Sequence, residues 1–163
     1  MNAEPEKIIA RLRLVPLPQE GGFYRQTWTS QAQLANGRAA ASAIWFLLTR
    51  EDFSALHRLK AEELWHFHAG DPVEHVQLDP VSATVQVTLL GADVLAGQVP
   101  QLVVSGGVWQ GARPNAGTAG NGWTLLGCTV TPAWDDRDFE LGARVPLMRD
   151  FPQAEELIVG LTR

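Results

Sequence analysis

Hydrophobic and polar residues alternate along most of this chain, from about residue 23 to residue 131. Alternation over four to nine residues, bounded by Gly, Pro, Asp or charged turns, is typical of half-buried β-strands. It predicts strands in the segments GFYRQTW, ASAIWFLLT, FSALHRL, ELWHFHAG, PVEHVQLD, ATVQVTLLG, QLVVSGGVW and GWTLLGCTVTP. Many short strands at this spacing indicate an all-β sandwich, jelly roll or barrel.

The two ends of the chain carry a helical period instead. In EPEKIIARLRL, Ile8, Ile9 and Leu12 share one face, and the prolines and glycines of VPLPQEGG end the helix. In FPQAEELIVGLT, apolar residues recur at helical spacing after Pro152. We therefore predict a short helix at each terminus, packed on a β core. No composition shift or linker divides the sequence, so residues 1–163 are expected to form one domain.

The charge and the cysteine content of the chain limit the classes of molecule that it is expected to bind and the compartment in which it is expected to work. The 163 residues include 13 Lys and Arg against 18 Asp and Glu, a formal net charge of −5. This balance argues against a nucleic-acid or anionic-membrane surface, because phosphate binding needs a concentrated basic field. The longest apolar run, AIWFLLT, is too short to span a bilayer. Cys128 is the single cysteine, and the N-terminus lacks a signal-peptide pattern, so we expect a cytoplasmic location and a small-molecule ligand.

The stretch HRLKAEELWHFHAG, residues 57–70, carries the candidate chemistry. Side chains of a strand alternate between its two faces, which places Glu63 with Trp65 and Phe67 on one face and the two histidines of that strand on the other. The histidines of this stretch therefore do not all meet. If Glu63 faces the interior, His66 and His68 face away from that pocket.

The spacing of this stretch resembles the first motif of the cupin superfamily: His-x-His, three or four residues, Glu, six residues, Gly. His57, Glu63 and Gly70 match it, and Leu59 stands in place of the second histidine. The second cupin motif resembles GQVPQLVVSGGVWQGA, in which Gln110 stands where the metal-binding histidine is usual. Only two of the usual four metal ligands of the family are therefore retained.

Further strings, among them EGGFYRQTW, GCTVTP and DFELG, extend the resemblance over roughly residues 10–160. Together they are similar to a cupin subfamily formerly catalogued as a domain of unknown function (DUF985-like). The resemblance implies a cupin double-stranded β-helix, a jelly-roll barrel, with a pocket at one end, and a homodimer. It does not imply a reaction, because one fold hosts many functions.

The first functional hypothesis is an isomerase- or epimerase-like enzyme that uses metal-free acid–base chemistry on a sugar-derived or small polar substrate. Epimerisation beside a carbonyl needs a base on one face of the carbon and an acid on the other. His57 is the candidate base and Glu63 its partner. Tyr24 is the candidate acid on the second face, although strand alternation also allows it to be a packing residue.

Several residues are candidates for binding the substrate. Trp65, Phe67 and Trp109 are possible aromatic walls of a pocket, and Gln110 is a candidate hydrogen-bond donor. Aromatic residues on strands also fill ordinary β cores, so that alternative stays open. Two cations are candidates for orienting an anionic group, Arg25 on a strand and Lys60 in the turn after His57, and each is equally compatible with a solvated surface position.

Two other hypotheses use the same pocket. One is a non-catalytic small-ligand sensor. The other is an enzyme with one divalent transition metal held by His57, Glu63 and Gln110, a weak ligand set because an amide oxygen replaces an imidazole. The sequence favours the reading without a cofactor, and it does not identify the substrate.

Overall fold

The computed structural model describes residues 4–115 and 120–163. Its helices are α1 (Glu4–Leu12), α2 (Arg144–Asp150) and α3 (Glu155–Gly160). Its strands are β1 (Val15–Pro16), β2 (Phe23–Thr29), β3 (Ser42–Thr49), β4 (Ser54–Arg58), β5 (Glu62–Gly70), β6 (Val73–Asp79), β7 (Thr84–Leu90), β8 (Gln101–Val104), β9 (Trp109–Pro114), β10 (Trp123–Thr131) and β11 (Glu140–Leu141).

The strands form two antiparallel sheets. The first has six strands in the order β1-β2-β3-β10-β5-β8, and the second has five in the order β11-β4-β9-β6-β7. An apolar core lies between the sheets and takes residues from both, with Phe46 and Trp65 from the first sheet and Val73 and Ala112 from the second. The prediction of an all-β fold with short helices near the termini is confirmed.

The second sheet is covered on its outer face by the C-terminal helices. Strand β6 is therefore buried on both faces. Its Val73 faces the core between the sheets. Its Val76 and Leu78 face outward and pack with Ile158 and Leu161 of the C-terminal segment. A strand buried on both faces reads as nearly continuous apolar sequence rather than clean alternation. The closing helix predicted after Pro152 is present as a 3-10 turn, Pro152–Ala154, followed by α3.

Several elements differ from the sequence prediction, and the two-residue strands β1 and β11 were not predicted. Helix α2, which buries Leu147, was not predicted. The segment QLVVSGGVW was predicted as one strand, but it forms β8 and the start of β9, separated by a turn. In that turn Gly107 has φ +86°, and a Cβ at Gly106 would clash with the carbonyl oxygen of Lys60. The glycine pair therefore marks a reversal of the chain rather than a strand interior.

In the part of the chain that the structure describes, no helix is both long and apolar enough to cross a membrane.

Candidate functional site

A cavity of about 630 Å³ lies beside the inner face of the first sheet, with two non-strand segments at its edge, residues 17–20 and 134–139. This size falls in the range of small-molecule sites, which are concave, largely apolar and carry a few placed polar groups. Its polar lining includes Glu20, Tyr24, His57, Glu63, Cys128 and Asp136, and its apolar lining includes Leu17, Ile44, Phe46, Val130, Trp134 and Phe139.

His57 projects into this cavity from β4 and is 2% exposed. Its Nδ1 lies 2.8 Å from the carbonyl oxygen of Ala55, so this nitrogen carries the proton that it donates to the carbonyl. In the neutral ring, Nε2 is then an acceptor, and no described residue forms a hydrogen bond with it. The ring of Phe139 stacks on the imidazole, with centroids 5.4 Å apart and planes 24° from parallel. His57 is therefore held in one orientation, with a free lone pair facing the cavity.

Glu20 lies beside His57, and the sequence analysis did not identify it. Its Oε2 is 4.0 Å from His57 Nε2, beyond hydrogen-bond distance, and its Oε1 accepts a 2.7 Å hydrogen bond from Ser54 Oγ. The backbone N–H of Ala55 also donates to the Glu20 carbonyl. Glu20 sits in a Pro- and Gly-rich loop, where no periodicity reveals which way a side chain points. Burial of an acidic residue in such a loop has no signal in the sequence pattern.

Glu63 contributes the third ionisable group from β5. Burial raises the pKa of its carboxyl group to about 7; His57 opposes this shift, the negative charge of Glu20 adds to it, and hydrogen bonds from Gln110 and Cys128 oppose it. A carboxyl group with a pKa near 7 can donate or accept a proton at neutral pH. The predicted pocket pair of His57 and Glu63 is therefore brought together, with Glu20 as an added neighbour.

Two hydrogen bonds in series, from Trp65 to Gln110 and from Gln110 to Glu63, hold the carboxyl group of Glu63 in place. Trp65 Nε1 donates to Gln110 Oε1 at 2.8 Å, and Gln110 Nε2 donates to Glu63 Oε2 at 2.6 Å. Trp65 and Gln110 are both 1% exposed, and neither is among the cavity-lining residues. The predicted wall residue and the predicted substrate donor thus lie behind the cavity, where they position Glu63 rather than contact a ligand.

His75 of β6 lies on the far side of Trp65, with ring centroids 4.8 Å apart in an edge-to-face arrangement. It is fully buried, and neither ring nitrogen has a hydrogen-bond partner among the described residues. Burial lowers the pKa of His75 to about 3, with Gln110 nearby opposing the shift, so the ring is neutral. The sequence carried a weak signal here, because alternation in PVEHVQLD places His75 on the same face as the core residue Val73.

Cys128 of β10 is 2% exposed. Its thiol also lines the cavity, as Glu63 does. Burial raises the pKa of this thiol well above its usual value, and the charges of Glu63 and Glu20 add to the shift. Cys128 is therefore a protonated thiol rather than a nucleophile, because only the thiolate is reactive.

The segment 134–139 forms one side of the mouth. Arg38 holds it in place: its Nε donates to the Ala133 carbonyl at 2.8 Å, and its Nη2 pairs with Asp138 at 2.6 Å. Trp134 Nε1 donates to Asp136 Oδ1 at 2.9 Å. This acidic stretch is thus a structured edge of the cavity, and it supplies Asp136 to the lining.

The remaining predicted binding residues lie elsewhere. Phe67 packs against the inter-sheet core, and Trp109 lies in the outer core under the C-terminal helices, with the Arg58 guanidinium 4.4 Å from its ring centroid. Arg25 is exposed and donates to the Leu12 carbonyl. Lys60 is exposed and lines a separate surface depression. These four residues are not among those that line the cavity, whereas Tyr24 is.

The donor set does not fit a metal ion. Leu59, at the position of a usual ligand, is 2% exposed and packs in a small apolar cluster. An amide binds a metal through its oxygen, and the oxygen of Gln110 is engaged by Trp65. Among residues 4–115 and 120–163, no three His, Cys, Asp or Glu side chains are placed to hold a metal ion. The chemistry that these residues support is proton transfer.

Two antiparallel sheets that pack face to face, with His57 and Glu63 on the wall of a cavity beside the first sheet, are the arrangement expected of a cupin-type protein. The chain belongs to the family described as Cupin superfamily (DUF985), whose model, Cupin_5, matches residues 6–142. The resemblance noted in the sequence is therefore confirmed.

Solved structures agree with this assignment. A hypothetical protein from Leishmania major is 35% identical, with 96% of this chain and 97% of that chain covered and a TM-score of 0.88. A protein from Shewanella oneidensis is 34% identical, with 100% and 98% covered and the same TM-score. An oxalate decarboxylase variant from Bacillus subtilis, at 12% identity, 91% and 37% coverage and a TM-score of 0.57, shows the fold alone. Among curated proteins, none matches.

Proposed function

We propose that this protein is an isomerase- or epimerase-like enzyme that moves a proton on a small polar, sugar-derived substrate without a metal. One observation carries the proposal: the free Nε2 lone pair of His57 faces the same cavity as Glu63, whose pKa is about 7. A general base beside a carboxyl group whose pKa is near 7 is what proton abstraction beside a carbonyl requires.

Each group has a distinct role in the proposed reaction. His57 Nε2 takes the proton from the carbon beside the carbonyl, and the electron pair of the broken C–H bond moves onto the carbonyl oxygen. Protonated Glu63 donates a hydrogen bond to that oxygen, and the Glu20 carboxylate stabilises the imidazolium that forms. Tyr24, on the neighbouring wall, returns a proton to the opposite face of the carbon. As Tyr24 gives up its proton, the electron pair returns from the carbonyl oxygen to the carbon, so the product differs from the substrate only in configuration at that carbon. His57 then loses its proton to solvent and Tyr24 regains one from it.

Exchange of a carbon-bound hydrogen with solvent tests this proposal before the physiological substrate is known. The protein is incubated in D₂O with a panel of small ketones, aldehydes and keto sugars, and deuterium incorporation is followed by NMR. Removing a general base typically costs 10²- to 10⁴-fold in rate. We expect H57Q to lose exchange by at least about 100-fold, whereas the matched control H68Q, at an exposed histidine of β5, retains it. Equal exchange in H57Q and the native protein would contradict the role of His57.

The apolar part of the lining supports a second function, a non-catalytic sensor that binds a small ligand in the same cavity. Leu17, Ile44, Phe46 and Val130 provide apolar contact area of the kind that dominates binding pockets. A sensor is stabilised by its ligand, because binding to the folded state alone raises the free energy of unfolding. A compound that raises Tm but undergoes no exchange would favour this function over the enzyme.

We also propose a homodimer that works in the cytoplasm. Among residues 4–115 and 120–163, strand β1 pairs with Phe23 and Tyr24 of β2 and no other strand covers the rest of that edge. Trp28 on β2 is 50% exposed. Open strand edges are sites of pairing between chains. Light scattering is expected to give twice the 17.8 kDa chain mass, and W28E to give the monomer. V87E, at a residue of similar exposure on the other sheet, is the control.

A further inference from the structure

The charged side chains that line the cavity are almost all acidic. Glu20, Glu63 and Asp136 bring three carboxyl groups to it, and His57 is the one basic side chain among the described lining residues. No Lys or Arg of residues 4–115 and 120–163 is among them. An anionic group that entered the cavity would therefore lose its hydration without gaining a cationic partner, which is costly.

Two acceptor atoms beside the cavity are free to bind a donor. His57 is 98% buried, and its Nε2 faces the cavity as a lone pair with no hydrogen-bond partner among the described residues. The Oε2 atom of Glu20 is 4.0 Å away, and the hydrogen bond from Ser54 goes to the other carboxylate oxygen, Oε1. A donor on a ligand can therefore bind Glu20 Oε2 while the His57 lone pair stays free for proton transfer. The Gln110 amide is a donor, but it already serves Glu63.

Basic residues close to the lining do not alter this balance. Arg163, which donates to the backbone carbonyl of Glu20, is paired with Asp52. Arg38 is paired with Asp138, and Arg137 is paired with Asp135. These four side chains belong to a second depression on the other side of the segment 134–139, together with Lys60. Because each arginine there faces its own carboxylate, their charges are compensated, and the acidic lining of the cavity is not.

We infer that the cavity takes a small ligand that carries a protonated amine, with the amine directed at the Glu20 carboxylate, and that it excludes carboxylates and phosphates. The rings of Tyr24, Trp134 and Phe139 line the same space and suit a cation, because aromatic faces attract positive charge. This inference rests on the proposed function, since it names the substrate class of the same site. It narrows the sugar-derived or small polar substrate to an amine-bearing one.

The single cysteine provides a probe that needs no known substrate. Cys128 lines the cavity, so the rate at which its small thiolate fraction is modified reports which small molecules enter. Aminoethyl methanethiosulfonate is cationic and sulfonatoethyl methanethiosulfonate is anionic. Each forms a mixed disulfide with the thiolate and releases methanesulfinate. Their rates are normalised to those with free 2-mercaptoethanol in the same buffer, which removes the intrinsic difference between the reagents.

We expect the normalised rate of the cationic reagent to exceed that of the anionic reagent by at least tenfold. The ratio should fall several-fold in E20Q, and E62Q, at the exposed neighbour of Glu63, should leave it unchanged. Because Cys128 is deeply buried, a second reporter uses Q26C in a C128S background, at an exposed residue on the cavity lining. If the ratio is one or below both at Cys128 and at the cysteine of the Q26C variant, the inference is overturned. If Cys128 does not react, a ratio of one or below at the cysteine of the Q26C variant overturns it.

The labelling ratio does not depend on whether the protein catalyses deuterium exchange, so the two experiments test the ligand class and the catalysis separately. A cation preference without any deuterium exchange leaves the ligand class in place and removes the proposed catalysis. Deuterium exchange in a protein whose two reagents react equally removes the ligand class and leaves the catalysis.

Discussion

The ionisation of Glu63 makes a quantitative prediction about stability. The carboxyl group titrates at about 7 in the folded protein and at about 4.5 in the unfolded chain. Between these two pH values the unfolded state has lost the proton that the folded state still holds, so rising pH favours unfolding. Glu63 is therefore expected to lower the free energy of unfolding as pH rises through this window, and to have no further effect well above pH 7.

The size of the effect follows from the two pKa values. A tenfold difference in proton affinity corresponds to about 1.4 kcal/mol, so Glu63 destabilises the fold by about 3 kcal/mol above pH 7.5 and by less than about 1 kcal/mol at pH 5. E63Q removes the titrating group and keeps an acceptor oxygen for the 2.6 Å hydrogen bond from Gln110. The stability difference between E63Q and the native protein should thus shift by about 2 kcal/mol in favour of E63Q between pH 5 and pH 8.

Urea unfolding at half-unit steps from pH 4.5 to 8.5 measures this difference. Groups other than Glu63 titrate in both proteins, so most of their contribution cancels when one curve is subtracted from the other. E62Q, at the exposed adjacent residue, controls for loss of a negative charge and should give a flat difference. A flat difference for E63Q as well would refute the reasoning, because it would mean that Glu63 titrates at the same pH in the folded and unfolded states.

Three further outcomes are expected. W65F leaves the buried Oε1 of Gln110 without its donor and should lower the free energy of unfolding by about 1–3 kcal/mol in urea titrations, and no loss would mean that the hydrogen bond is absent. H75F removes two buried nitrogens that lack partners and should leave Tm unchanged or raise it, whereas a drop of more than about 5 °C would show that His75 has a hidden partner. Elemental analysis of untagged protein should give well under one equivalent of transition metal, and a full equivalent would show that Gln110 turns its oxygen away from Trp65.

The elements with a strong period were predictable from the sequence. Alternation in ELWHFHAG placed Glu63 and Trp65 on the buried face and His68 on the exposed face, because a strand that buries one face allows only one register. The same reasoning missed the break between β8 and β9, since a glycine pair interrupts an apolar run without changing its period. It also assigned Trp109 to the pocket, although that residue precedes Gln110 and so points to the opposite face.

The site residues that could not be predicted from the sequence lie outside regular strands. Glu20 belongs to a loop whose side-chain directions are fixed by contacts with distant residues, such as Ser54 and Ala55. Asp136 and Phe139 belong to a segment that reads as a polar turn until its link to Arg38 is known. Such contacts are made between residues far apart in the sequence, and no local pattern encodes them.

The attachment of the segment 134–139 to Arg38 has a consequence for how fast and how tightly a ligand is captured. Because hydrogen bonds and an ion pair already fix this edge of the cavity, a ligand does not have to order a flexible chain when it enters. Ordering this segment costs conformational entropy, and that cost is met when the protein folds rather than when the ligand binds. A few contacts are then enough for useful affinity, and the association rate depends on diffusion to an open mouth rather than on closure of a lid.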